Sequence, residues 1–251
     1  MGLFNNPYHS HDHSLEILNL IYGYDSYLDS LQVIADMGCG SGLDAQWWAT
    51  LTTRDDPPEP RNYIVYAVDQ DMSRMDPDIL GDCPNIVPLE KDFEERCIPR
   101  QVDLIWSHDS FQYARDPWKC LATWKSTLNE NGMLVLSIPQ TTYMLNNKLV
   151  INSYDQQWYS YNILNLMYML AASGFDCNDA YFYRKRNTPW LYAAVYATSE
   201  PSLKPGVTWL ELAERNLINP SVAQSVQRRG YAHLNDIFVT WLDKDFHQIL
   251  D

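Results

Sequence analysis

The chain has 251 residues, 46% of them hydrophobic and 20% charged. These proportions fit a soluble globular protein, long enough to bury roughly three-quarters of its unfolded surface without a disulfide or metal. Eighteen Lys and Arg against 32 Asp and Glu leave a net charge of −14, which argues against nucleic acid and anionic membranes as partners. No apolar run reaches the ~20 residues that span a bilayer, and no basic-then-apolar start reads as a secretory leader. The five cysteines are scattered, with no CxxC pair, so the expectation is reduced thiols in a cytoplasm.

Leu15, Leu18 and Ile21 or Tyr22 stand at helical spacing behind Ser14, a potential N-cap. Residues 31–37 read as a buried strand, followed by a glycine-rich turn and a helix through Trp47, Trp48 and Leu51. Residues 52–62 are a charged, Pro-rich loop, and 63–69 a β-branched and aromatic second strand. A helix near 72–80, a short strand at 86–89 and a buried strand at 102–107 come next. Asp116 and Pro117 open a helix that Asn131-Gly132 ends, and 133–138 is a fifth strand. A helix over 158–173 stops at Gly174, and 180–185 with 190–197 form an antiparallel hairpin at the sheet edge. The tail from 207 is helical, with Asn219-Pro220 a start and Gly230 a break. Strands alternating with helices predict an α/β fold with a mostly parallel sheet covered on both faces. The basic clusters Arg184-Lys185-Arg186 and Arg228-Arg229 read as a solvated strand edge and helix end.

The strongest chemical signal is Asp36-Met37-Gly38-Cys39-Gly40-Ser41-Gly42, where a strand ends and a helix begins. Three glycines let the backbone turn tightly and approach a ligand, and the helix N-terminus favours a carboxylate or phosphate. The spacing is GxGxG, not the GxGxxG of dinucleotide folds, and no P-loop Lys follows. Asp69 closes the second strand, where a carboxylate can accept both ribose hydroxyls; ordinary turn chemistry is its other reading. Asp92-Phe93 follows the third strand, a carboxylate for an adenine amino group and a ring to pack on it. All three sites lie at strand C-terminal ends, where open α/β sheets bind ligands.

Together these segments resemble the class I S-adenosylmethionine-dependent methyltransferases, of the small-molecule type and similar to the methyltransferase type 11 and trans-aconitate methyltransferase-like group. ADMGCGSG resembles the first motif, AVDQDMSRM the ribose-binding segment, VDLIWSHDSFQYARDP the fourth-strand motif and LNENGMLVLSIP the fifth, across about residues 31–197. The resemblance implies a Rossmann-like seven-stranded sheet ending in an antiparallel hairpin, with S-adenosylmethionine as cofactor and S-adenosylhomocysteine as product. It implies Gly38, Cys39, Gly40 and Gly42 around the methionine part, Asp36 on its ammonium, Asp69 on the ribose and Gln70 beside the adenine. Asp92 and Phe93 would contact the adenine, and Ser107 and His108 would lie near the sulfonium and acceptor. The 26 residues between Gly42 and Asp69 exceed the usual gap. Ser107-His108-Asp109-Ser110 stands where exocyclic-amine methyltransferases carry Asn/Asp-Pro-Pro-Tyr.

Methyl transfer from a sulfonium is an in-line displacement governed by proximity and orientation. His108 is the candidate general base, by its unperturbed pKa of about 6.5; lining the pocket is its alternative role. The family often folds its N-terminal segment over the site, which makes Tyr8 and His11 acceptor-side candidates. His9, His11 and His13 with Asp12 could ligate a metal, but a mobile terminus or helix cap is preferred and no metal is assigned. Tyr143, Trp158 and Tyr159, with Tyr161, are candidates for an aromatic acceptor pocket. The expected organisation is a cap over 1–30, a core over 31–200 and a helical extension over 201–251, which could cap the acceptor, form a homo-oligomer surface or bind a protein. The leading function is methylation of an oxygen or nitrogen of a small molecule. The alternatives are a protein or peptide methyltransferase docking through the tail, and a non-catalytic protein retaining the cofactor fold.

Overall fold

Apolar side chains on alternate residues of a strand face opposite sides of a sheet, and here both sides are covered. The computed structural model describes residues 25–53, 55, 57–146, 148–151, 157–184, 189–203 and 206–232. The predicted helix at 14–22 lies outside them. In chain order come α1 (Asp25–Ser30), β1 (Val33–Met37), α2 (Leu43–Thr50), β2 (Ile64–Asp69), a 3₁₀ turn (Met72–Arg74), α3 (Pro77–Asp82), β3 (Ile86–Glu90) and β4 (Val102–His108). A second 3₁₀ turn (Phe111–Tyr113) leads to α4 (Pro117–Thr127), β5 (Leu128–Pro139), β6 (Thr142–Leu145), β7 (Lys148–Ile151), α5 (Ile163–Ala172), β8 (Phe175–Arg184), β9 (Trp190–Ala197), α6 (Trp209–Glu214) and α7 (Pro220–Arg229).

The main sheet has seven strands in the order β3-β2-β1-β4-β5-β9-β8. The first five are parallel, and β9 is antiparallel to both β5 and β8. This is the Rossmann-like sheet with the edge hairpin that the sequence predicts. Chain order reverses between β1 and β4, the switch point at which such sheets bind ligands. Val33, Ala35, Met37, Leu134, Leu136 and Ile138 face the layer of α4, α5, α6 and α7. Ile34, Val65, Ala67, Leu104, Trp106 and Val135 face α1, α2 and α3. On that second face Trp48 of α2 meets Trp106 edge-on, with ring centroids 5.4 Å apart. No described helix is long and apolar enough to cross a membrane.

Five elements depart from the sequence reading. The helix predicted over 158–173 starts only at Ile163, because Asn162 caps it there: its side-chain oxygen accepts from Asn165 N–H. The helix predicted at 72–80 is a 3₁₀ turn and a separate α3, because Asp76 caps a new start: its carboxylate accepts from Asp78 N–H, and Pro77 follows. Helix α4 stops at Thr127, ahead of Asn131-Gly132, because Leu128 is extended, buried and paired with Val102. Asn131, at φ +60°, lies in the excursion before pairing resumes at Leu104–Met133. Asp103 fixes this end of the sheet: it accepts from Gln32 and Val33 N–H, both 2.9 Å, and from Asn129 Nδ2 at 2.6 Å. Strand β8 starts at Phe175, with its register broken where Asp176 accepts from the N–H groups of Asn178 and Asp179. The β6–β7 hairpin carries no Asn-Gly type of turn signal and was not predicted.

The described part of the C-terminal extension packs into the core of its own subunit. Leu212, Leu217, Ile218, Val222 and Ala223 are buried there, Cys177 N–H donates to Leu217 C=O at 2.8 Å, and Tyr168 OH donates to Val207 C=O at 2.6 Å. Ile218→Ala is therefore expected to lower stability by about 2–5 kcal/mol in urea denaturation. A loss below ~1 kcal/mol would show that this segment does not contribute to the core.

Candidate active site

The turn after β1 is shaped by left-handed backbone at Gly38, Gly40 and Gly42, with φ of +81°, +53° and +84°. The N–H groups of Gly38 and Cys39 both donate to Val68 C=O, at 2.8 and 3.0 Å, which hooks the turn to the end of β2. A Cβ on Gly38 would fall on Ser110, and one on Gly42 on Met75. Among the described residues, a Cβ on Gly40 would meet only the Arg74 guanidinium, 3.8 Å away. Below Gly38, Ser110 Oγ donates to Met37 C=O at 2.5 Å and lies 2.7 Å from the Oγ of the buried Ser107.

Three carboxylates gather at this turn. Asp36 is fully buried near the end of β1, and its Oδ2 has no hydrogen-bond partner among the described residues. Burial pushes its carboxyl well above the usual range, Asp44 and Asp69 add to the rise, and the Ala45 N–H opposes it. Asp69 Oδ2 accepts from Gly40 N–H at 2.9 Å and Oδ1 from Asp71 N–H at 3.1 Å. The expected ribose ligand thus also holds the glycine turn, while each carboxylate oxygen keeps a second acceptor site. Asp44 is in the first turn of α2, and its Oδ2 accepts from Trp106 Nε1 at 3.1 Å. Burial, and then Asp36 and Asp69, push the Cys39 thiol up, so it is not a thiolate at neutral pH.

The remaining predicted residues fall into distinct groups. Gln70 is exposed just beyond Asp69. Asp92 accepts from Glu94 N–H at 2.9 Å and is ion-paired with Arg115. Phe93 is half-buried against Trp124, centroids 5.8 Å apart, and its C=O accepts from Trp124 Nε1. Burial opposes ionisation of Glu94, but the N–H groups of Arg115 and Asp116 and the Arg115 guanidinium hold its carboxyl below the usual range. His108 ends β4, with Nδ1 3.9 Å from Asp44 Oδ2 and its ring stacked on Trp190. Tyr143 is half-buried on β6, Trp158 is exposed, and Tyr159 OH donates to Arg115 C=O at 3.2 Å. Tyr161 is buried against Phe111 in the core. Tyr8, His11 and the rest of the histidine cluster lie outside the described residues. The sequence reading missed Asp44 and Ser110. An acidic residue in the first turn of the helix after a glycine loop is a usable signal, because the helix dipole alone also favours it.

Residues 35–136 match the family described as methyltransferase domain. Residues 35–136 are a methyltransferase domain, carried on the Rossmann-like class I fold. The matched span runs from β1 to β5 and contains the glycine turn and all three carboxylates. No curated protein matches the sequence. A methyltransferase from Aquifex aeolicus, described as S-adenosylmethionine dependent, is similar in fold at 15% identity and a TM-score of 0.52, over 74% of this chain and 88% of that one. The 1,6-didemethyltoxoflavin N1-methyltransferase of Burkholderia thailandensis is similar at 15% identity and a TM-score of 0.51, over 74% of this chain and 77% of that one.

The buried Asp36 makes the stability of the chain depend on pH. Its raised carboxyl keeps a proton in the folded chain at pH values where the unfolded chain has lost it. Stability therefore falls as pH rises from the ordinary carboxylate range through the raised value. Asp36→Asn, which cannot ionise, is expected to flatten that fall. It should raise Tm of the ligand-free protein at pH 7 by roughly 2–4 °C, the shift that about 1 kcal/mol produces at this size. Scanning calorimetry checks this, and a lower Tm at pH 7 would refute it.

Proposed function

We propose that this methyltransferase acts on an oxygen or nitrogen of a small molecule, with its cofactor held at the glycine turn and His108 taking the acceptor's proton. The observation that carries the cofactor placement is the buried Oδ2 of Asp36, which has no hydrogen-bond partner among the described residues and lies at the end of β1, just before the glycine turn. Leaving a buried acceptor unpaired costs stability, and a cationic ammonium at that point would remove the cost. A site with three carboxylates also favours a ligand bearing a sulfonium. The residues present therefore fit S-adenosylmethionine. When bound, it supplies a methyl group on a positively charged sulfur, and the departing C–S electron pair neutralises that charge.

The protein's own residues have three tasks. Asp36 and the turn from Gly38 to Gly42, Cys39 included, hold the amino-acid end. Asp69 accepts from the ribose hydroxyls, with Gln70, Asp92 and Phe93 at the adenine. Ser107, through Ser110, supports the floor of the turn. At the end of β4, His108 would take the proton of the acceptor O–H or N–H. Tyr143, Trp158 and Tyr159, after β5, would supply the apolar walls of the acceptor pocket.

The packing of the described part of the extension supports a small-molecule acceptor over a protein docked through the tail, because Leu212 of α6 and Val222 and Ala223 of α7 are buried in the core. The ligands of the Burkholderia thailandensis protein, 1,6-didemethyltoxoflavin and S-adenosylhomocysteine, also fit this reading.

Titration calorimetry should show micromolar binding of S-adenosylmethionine and S-adenosylhomocysteine, weakened at least tenfold, or about 1.4 kcal/mol, by Asp69→Ala. No binding by folded protein would refute the proposed site. Once an acceptor is found by screening for S-adenosylhomocysteine release, His108→Gln should lower kcat by roughly 10²–10⁴-fold with cofactor affinity retained. Full activity of that variant would remove His108 from the chemistry.

A further inference from the structure

Asp44 and His108 face each other across the sheet–helix interface. His108 and Trp106 are two residues apart in β4 and so lie on one face of the sheet, the face that α2 covers. Asp44 reaches down from the first turn of α2, and one oxygen, Oδ2, serves both partners: Trp106 Nε1 donates to it at 3.1 Å, and His108 Nδ1 stands 3.9 Å away. Both side chains are largely withdrawn from water, 8% exposed for His108 and 11% for Asp44, so their attraction is only weakly screened. Trp190 stacks on the imidazole, centroids 5.5 Å apart and planes 26° from parallel. The ring is thus defined by an aromatic plane on its face and a carboxylate on its Nδ1 edge.

We propose that Asp44 is a positioning residue for methyl transfer, which keeps the proton of neutral His108 on Nδ1 and leaves Nε2 as the atom that takes the acceptor's proton. This rests on the reading of His108 as general base. A carboxylate beside Nδ1 favours the tautomer with hydrogen there and stabilises the imidazolium formed during transfer. The 3.9 Å separation is an ion-pair distance that shortens to a hydrogen bond as the imidazole gains charge, and catalytic contacts commonly tighten in the loaded enzyme. Trp106 fixes the carboxylate. Charged groups close in the fold include Asp109, next in the chain and accepting from Gln112 Nε2, and Asp36, whose carboxyl is pushed up by burial first and then by Asp44. β5 contributes the uncharged Ser137 opposite His108, and β9 contributes Trp190.

The test uses the full ¹⁵N-labelled chain and long-range ¹H–¹⁵N correlation of its six histidines, with His108 assigned through His108→Gln. Neutral His108 is expected to carry hydrogen on Nδ1. Asp44→Asn should lower the pH at which its ring nitrogens titrate, and Trp106→Phe should lower it by less. An Nε2–H tautomer in the wild type, or a pKa unmoved by Asp44→Asn, would overturn the proposal; the wild-type spectrum decides even if a variant fails to fold. With an acceptor in hand, Asp44→Asn should lower kcat and move the acid limb of the kcat/KM profile to lower pH, with Asp44→Glu restoring part of both. Cofactor titration of the wild type separates the two levels. Binding with an unmoved His108 pKa refutes the role of Asp44 alone, whereas no binding refutes the methyltransferase site on which it rests.

Discussion

Asp36 places a carboxyl group where water cannot reach it, at the C-terminal end of a central strand and directly before a turn of three left-handed glycines. Ionising such a group without a compensating charge is costly, and the Ala45 N–H meets only part of that cost. The surroundings are tightly fixed: the turn is hooked to Val68, and Gly38 sits directly over Ser110. Asp36 therefore cannot relieve itself by moving. It remains a protonated carboxyl or meets a cation brought from outside, and the chemistry proposed for the site follows from that restriction.

Asp44 and Asp69 enter the same constraint from neighbouring elements, and each also has structural work. Asp69 binds the Gly40 N–H, so the residue proposed to hold a ribose already shapes the turn around the ligand. Asp44 is oriented by Trp106 and faces His108. Loop, helix and the β4 end are thereby linked through carboxylate contacts in place of a mobile pocket wall. Such preorganisation suits a displacement that depends on alignment. The net charge of −14 extends the same sign over longer range, which attracts a cationic ligand.

The described part of the C-terminal extension packs onto the core. Leu217 and Ile218 close over the α5 side of the sheet, and the Cys177 to Leu217 backbone bond ties the extension to β8. The acidic surface is relieved locally by Arg228 and Arg229 in the last turn of α7, where the helix dipole favours cations.

The amino-acid sequence by itself determined the order of strands and helices, the glycine turn and the edge hairpin. Each of these rests on local rules: strand periodicity, the left-handed backbone that glycine adopts without strain, and caps such as Asp116-Pro117. It placed the carboxylates Asp36 and Asp69 at strand ends for the same reason. The end of α4 and the split of the 72–80 helix were decided by tertiary pairing and by a competing cap at Asp76, which outweigh helical propensity. Only the fold brought Asp44 to Trp106, 62 positions away, and to His108, and set Ser110 beneath Gly38. Strand order creates those meetings, because contacts between residues far apart in the chain depend on which elements become neighbours, and no local pattern encodes that.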